Sequence, residues 1–168
     1  MRDYVSNDDL YRLVAALGMA AFQAQSLEHS LVSLFAATFI RDQGRWSQQV
    51  RQLMDERYGQ TLGRLIRDAN KRLSIPPDLA STLEAALQER NWVIHHFYRE
   101  YGALGLSAAM TENATAKLEA IWPRLEVAAR SVHDLVLARM VKSGRTKEQV
   151  EASIRAALKD FIDEQYHA

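Results

Sequence analysis

Residues 79 to 100 read LASTLEAALQERNWVIHHFYRE, and the spacing of their apolar positions decides the fold class. Turned at about 100° per residue, Leu79, Leu83, Ala86, Leu87, Ile94, Phe97 and Tyr101 fall on one stripe, as in a helix with one face in a core. The same spacing of three and four recurs upstream at Leu10, Leu13, Leu17, Ala21, Ala24, Leu27, Leu31 and Leu34, behind three capable caps, Ser6, Asn7 and Asp8. The small residues of GMAAFQAQ predict that a second helix crosses this one closely between Gly18 and Ala24. No stretch alternates with a period of two, so no strand is expected.

Punctuation sets the remaining boundaries. Gly44 in DQGRW closes the first helix, and a second helical region runs from Ser47 to Leu73, with Gly59 and Gly63 as weak points. Pro76 and Pro77 end it and let a third helix open near Asp78, which continues to EYGALG. The next helix runs from Ser107 or Thr111 to Lys142, with Pro123 expected to kink or divide it. Thr146 and Gln149 have the spacing of a capping box for a last helix over 146–165. The expectation is an all-α, antiparallel four- to five-helix bundle forming a single domain over 1–168, with a core bundle over about 7–142 and an additional C-terminal helix.

Composition narrows the functional classes. The 168 residues are 48% hydrophobic, enough for one sizeable core, and carry 21 basic and 21 acidic side chains. With a net charge of zero, no overall field draws the chain to nucleic acid or to an anionic membrane, so any such contact is local. The absence of cysteine excludes disulfides, thiolate metal sites and thiol nucleophiles. No apolar run has the length of a signal segment or a membrane span, and a cytoplasmic protein without a membrane partner is expected.

The chemistry concentrates in the opening stretch. Arg90 falls inside the apolar stripe, where an unpartnered guanidinium is prohibitively costly; it needs a carboxylate, with Glu28 a candidate, or an opening to solvent. Asn91 and His95 stand four apart on the flank of the stripe with Tyr98. His96 points elsewhere, on a line with Glu89 and Glu100, and is expected to pair with Glu100. Trp92 and Val93 turn away from the stripe, suggesting a second buried face or a dimer contact.

The run Arg90-Asn91-Trp92-Val93-Ile94-His95 resembles the motif of the HEPN family, in which an arginine and its polar neighbour precede a histidine near the end of the third helix of an all-α bundle. The wider run through the RN and HHF elements looks like the motif helix of uncharacterised bacterial members. The resemblance implies a metal-independent endoribonuclease without cofactor, commonly a homodimer with two motif helices facing across a cleft. Arg90 would then bind phosphate, His95 would serve as acid or base, and Asn91 would hold the imidazole or a phosphate oxygen, with His96, Tyr98 and Glu28 in support. It also implies a role as a toxin or in defence, with an antitoxin or nucleotidyltransferase partner. The nucleotidyltransferase-paired subgroup has a tyrosine two residues after the histidine; here Phe97 holds that place and Tyr98 follows.

RNA needs a landing surface, and the densest basic stretch supplies Arg57, Arg64, Arg67, Lys71 and Arg72; its bland alternative is a solvated helix face. His29, His133 and His167 are too widely separated to predict a metal site, and the Asn113 sequon carries no weight without secretory features. From another class, the alternative is a non-catalytic helical dimerisation or nucleotide-binding module with Arg90 in a structural ion pair. A purely structural bundle is the third reading.

Overall fold

A computed structural model describes residues 5–43, 48–102 and 107–141, together with Thr146, Glu148, Gln149 and Ala152. Among them the regular elements are all helical: α1 (Asn7–Gln43), α2 (Gln48–Tyr58), α3 (Leu62–Arg72), α4 (Pro77–Asn91), a π-helical turn (Trp92–His96), α5 (Phe97–Tyr101) and α6 (Ala108–Val141). The expected all-α bundle is present.

Local chemistry explains the boundaries. Ser6 and Asp9 cap α1 reciprocally, Asp9 N–H donating to Ser6 Oγ at 3.1 Å and Ser6 N–H to the Asp9 carboxylate at 3.3 Å. The second helical region breaks after Tyr58, where Thr61 takes over as cap and accepts from Arg64 N–H. Gly63, the other weak point, lies inside α3 and lets that helix sit against Leu87. Pro77 occupies the first turn of α4, where its missing N–H costs nothing. Pro123 does not divide α6, because Leu118, Ile121 and Leu125 bury the turns on either side of it. Thr146 and Gln149 form the reciprocal bonds of the expected capping box. Most of the expected 146–165 helix, like Gly44 and the glycine-rich end of EYGALG, lies outside the described residues.

Side-chain pairs fix the directions. Arg12 with Glu119, and Thr38 with Arg139, align α1 parallel to α6; Glu89 with Arg124, and Tyr101 with Asn113, set α4 and α5 antiparallel to α6. His29 beside Tyr58, with Ala36 packed on Val50, makes α2 antiparallel to α1. Successive rods therefore alternate, and the first and fifth run the same way.

The core lies between α1, α4 and α6, where Leu27, Leu31, Leu34, Leu83, Leu118 and Leu125 are fully buried. Burying each such side chain stabilises the fold by roughly 2 kcal/mol. Within the stretch expected to be crossed closely, Ala20 and Ala24 are buried, as is Ala16 one turn before, whereas Gly18 is exposed with open space around it. The reason is rotational: Gly18 sits across the α1 cylinder from that alanine line. No helix of the described residues is long and apolar enough to cross a membrane.

Candidate functional site

The helix that carries the opening stretch is not a regular α-helix. From Trp92 to His96 it widens into a π turn, in which Phe97 N–H bonds to the carbonyl five residues back, at Trp92. Such single wide turns are rare and recur at functional sites. The extra residue per turn rotates everything beyond it backward relative to the regular wheel. Val93, expected to face away, is only 4% exposed and stands on the core side two turns after the buried Ala86, while Ile94, expected inside, is 48% exposed.

That rotation assembles the polar cluster. Residues five apart on a regular α-helix point about 140° from each other. Across the wide turn, Arg90 Nη1 lies 3.4 Å from His95 Nε2 and 3.4 Å from Asn91 Oδ1. On its other side Arg90 Nη2 meets Glu28 Oε1 of α1 at 3.1 Å, the partner expected from the sequence. The Arg90 side chain is 22% exposed and that of Glu28 29%, so the ion pair is neither sealed nor free. His95 is exposed. A guanidinium has only donors, so its approach to Nε2 is favourable when that nitrogen presents a lone pair. The cluster therefore offers a fixed cation beside an imidazole nitrogen.

The other expected members are placed differently. His96 is exposed and makes no hydrogen bond among the described residues. Its expected partner Glu100 turns to α6, accepting from Trp92 Nε1 at 2.7 Å and from Lys117 Nζ at 3.0 Å. These bonds hold the Glu100 carboxyl below its ordinary pKa, the Trp92 bond most and the Lys117 bond next. Trp92 also lies under Lys117 Nζ, 3.8 Å from its ring centre, and edge-on to Phe97 and Tyr101. Trp92 and Val93 are thus occupied within the chain, and neither argues for a dimer contact. Tyr98 is 74% exposed and touches the ring edge of Phe97.

The basic stretch divides by burial. Arg57 is buried at the end of α2, bonded to Asp68 at 2.7 Å and stacked over Phe35 at 4.2 Å, so it ties α1, α2 and α3 together and is not a landing residue. Its hydrogen bond holds the Asp68 carboxyl below the ordinary value. Arg64, Arg67, Lys71 and Arg72 are exposed on α3. The contact of Gly63 with Leu87, one turn before Arg90, brings the start of this basic face to the level of the cluster.

Two features escaped the sequence. His29 Nδ1 and the Tyr58 hydroxyl share a hydrogen bond between α1 and α2, and partial burial there, with the charge of His133, lowers the pKa of His29. A cavity of mixed lining also opens at the far end of α3. No group of three or more His, Asp or Glu among the described residues has the geometry to hold a metal ion. Compared with family models, curated proteins and solved structures, the chain matches none of them.

Proposed function

We propose that the chain is a metal-independent endoribonuclease of HEPN type. The observation that supports it is the 3.4 Å approach of the Arg90 guanidinium to the His95 imidazole on a partly open surface, made across a π turn. The two groups meet the needs of RNA transesterification without metal. Nε2 of His95 takes the proton of a 2′-hydroxyl as the O2′–P bond forms, while Arg90 spreads positive charge over the phosphorane oxygens. As the P–O5′ bond breaks, the leaving oxygen takes a proton from a second donor. A second copy of the motif helix across a homodimer supplies that donor in this reading. Asn91 Oδ1 orients Arg90, and Glu28 holds the guanidinium until a phosphate replaces the carboxylate. Arg64, Arg67 and Lys71 form the approach for the RNA backbone. A toxin or defence role and an antitoxin or nucleotidyltransferase partner accompany the motif resemblance, and a cytoplasmic setting accompanies the sequence's want of an apolar run of signal or membrane-span length.

The test is incubation of the wild type and a His95→Ala variant with single-stranded RNA in a chelator. Cleavage by the wild type to 2′,3′-cyclic ends, with loss of about a hundredfold or more in the variant, is the expected result. Equal inactivity, or activity that needs a divalent cation, removes the proposal. The 3.1 Å pairing of Arg90 with Glu28 favours a second reading, a non-catalytic helical module in which the pair ties α4 to α1.

A further inference from the structure

A cavity of about 300 Å³, with a mixed polar and apolar lining, opens where α1, α3 and α6 meet, lined by Thr38, Arg72, Leu73, Ser74, Leu135 and Arg139 among others. It lies ten residues further along α1 than Glu28, roughly 15 Å from the Arg90 cluster. None of the residues lining it is acidic.

The backbone here has an uncommon form. Leu73 has φ −116° and ψ 12°, and Ser74 follows with φ +45°, a conformation that costs a serine energy that a glycine would not spend. A right-handed residue followed by a left-handed one turns successive N–H groups toward a common concavity, the nest geometry that receives anions. Leu73 N–H is engaged by the Ala69 carbonyl at 2.8 Å, whereas the N–H groups of Ser74 and Ile75 have no hydrogen-bond partner among the described residues.

Two guanidiniums complete the concavity. Arg139 donates to Thr38 Oγ1 at 2.9 Å and to the Leu73 carbonyl, so it offsets the negative end of the α3 dipole, which would otherwise repel an anion. The Arg72 side chain is exposed and makes no side-chain hydrogen bond or close ion pair among the described residues; its charge also reaches Asp68, which Arg57 holds. A second cleft of about 450 Å³ shares Leu135 and Ala138 with this cavity, and there Asp78 and Asp134 change the sign of the lining. Asp134 precedes Arg139 by five residues, about 7.5 Å along α6.

We propose that this groove binds a small phosphomonoester with a cationic end. The phosphate sits against the Ser74 and Ile75 N–H groups and Arg72, and the ammonium lies toward Asp78 and Asp134. A polynucleotide is disfavoured, since its next phosphate would meet those carboxylates. The site is independent of the ribonuclease reading and survives its failure.

The experiment follows backbone amide shifts of the full chain during titration with O-phosphoethanolamine and, separately, with inorganic phosphate. Saturable shifts at Ser74 and Ile75 with both probes are expected. Arg72→Gln should weaken both by about tenfold, the loss of one charge-assisted bond, with shifts elsewhere unchanged. Asp134→Asn should weaken O-phosphoethanolamine alone. Absence of saturable shifts at these amides, or an Arg72→Gln variant that binds as the wild type does, overturns the anion site. An Asp134→Asn variant that affects both probes alike, or neither, overturns the assignment of the cationic end.

Discussion

Truncating Arg90 and Glu28 to alanine, singly and together, measures how much the tie between α4 and α1 contributes to stability. At 3.1 Å the two charges attract by about 5 kcal/mol gross for an effective dielectric constant near 20. Most of this is offset, because both side chains gave up part of their hydration and still retain 22% and 29% exposure, which lets water and salt screen the pair. Exposed pairs contribute up to about 1 kcal/mol, and breaking sealed ones costs about 3–5 kcal/mol. A pair open to this degree should show a coupling energy of about 1–2 kcal/mol. For a chain of this length each kcal/mol corresponds to about 2–4 °C in melting temperature. The assay is urea denaturation followed by far-ultraviolet circular dichroism on the wild type, Arg90→Ala, Glu28→Ala and the double variant. A coupling below about 0.3 kcal/mol would refute the reasoning by showing that the pair does not hold the helices. A value above about 3 kcal/mol would refute it the other way, marking a sealed structural pair and favouring the non-catalytic module.

Other outcomes follow from the same geometry. Deleting the exposed Ile94 should turn the wide turn into a regular one while keeping Phe97 and Tyr101 in the core, so helical content should persist with a loss of no more than about 1 kcal/mol; loss of cooperative unfolding would contradict it. Leu83→Ala, in the fully buried centre of α4, should cost about 2–5 kcal/mol in the same denaturation assay. Asp68 has a folded pKa below its ordinary 3.8, owing chiefly to the Arg57 hydrogen bond. Its contribution is present above that value and is lost as pH falls through the folded pKa, so Asp68→Asn should flatten the acid limb of a stability-versus-pH curve. His29 is lowered from 6.5 by burial and by His133, so the unfolded chain takes up its proton first. Stability should decline as pH drops from 6.5 toward the folded value, and His29→Asn should remove that part of the slope.

Much of the fold was legible because helices announce themselves through caps, prolines and three-four spacing. Ser6, the break near Gly59, Pro77 and the Thr146–Gln149 pair all fell where local chemistry places them. The Glu28 partnership of Arg90 was also accessible, since a guanidinium in an apolar stripe demands an acid. The π turn was not. A regular wheel assigns Ile94 to the core, where the wide turn leaves it exposed; Val93, seven residues after the buried Ala86, could have been placed on the core side from spacing alone. One signal was available: Trp92, Val93 and Ile94 place three consecutive apolar residues where a regular stripe takes one or two. Glu100 was misassigned because spacing within a helix cannot see Lys117 on another helix. Arg57 was misread for a related reason, since charge density along a sequence does not say which cations turn inward to a partly buried aspartate and an aromatic ring.

If Arg90 and His95 act on one phosphodiester, their contributions to cleavage cannot be separated. Single-turnover rates on a short RNA in chelator, for the wild type, Arg90→Gln, His95→Ala and the double variant, test this directly. The account expects the double variant to be no slower than the worse single variant. Losses that multiply across the two sites would show that the guanidinium and the imidazole do not share a transition state, and would contradict it.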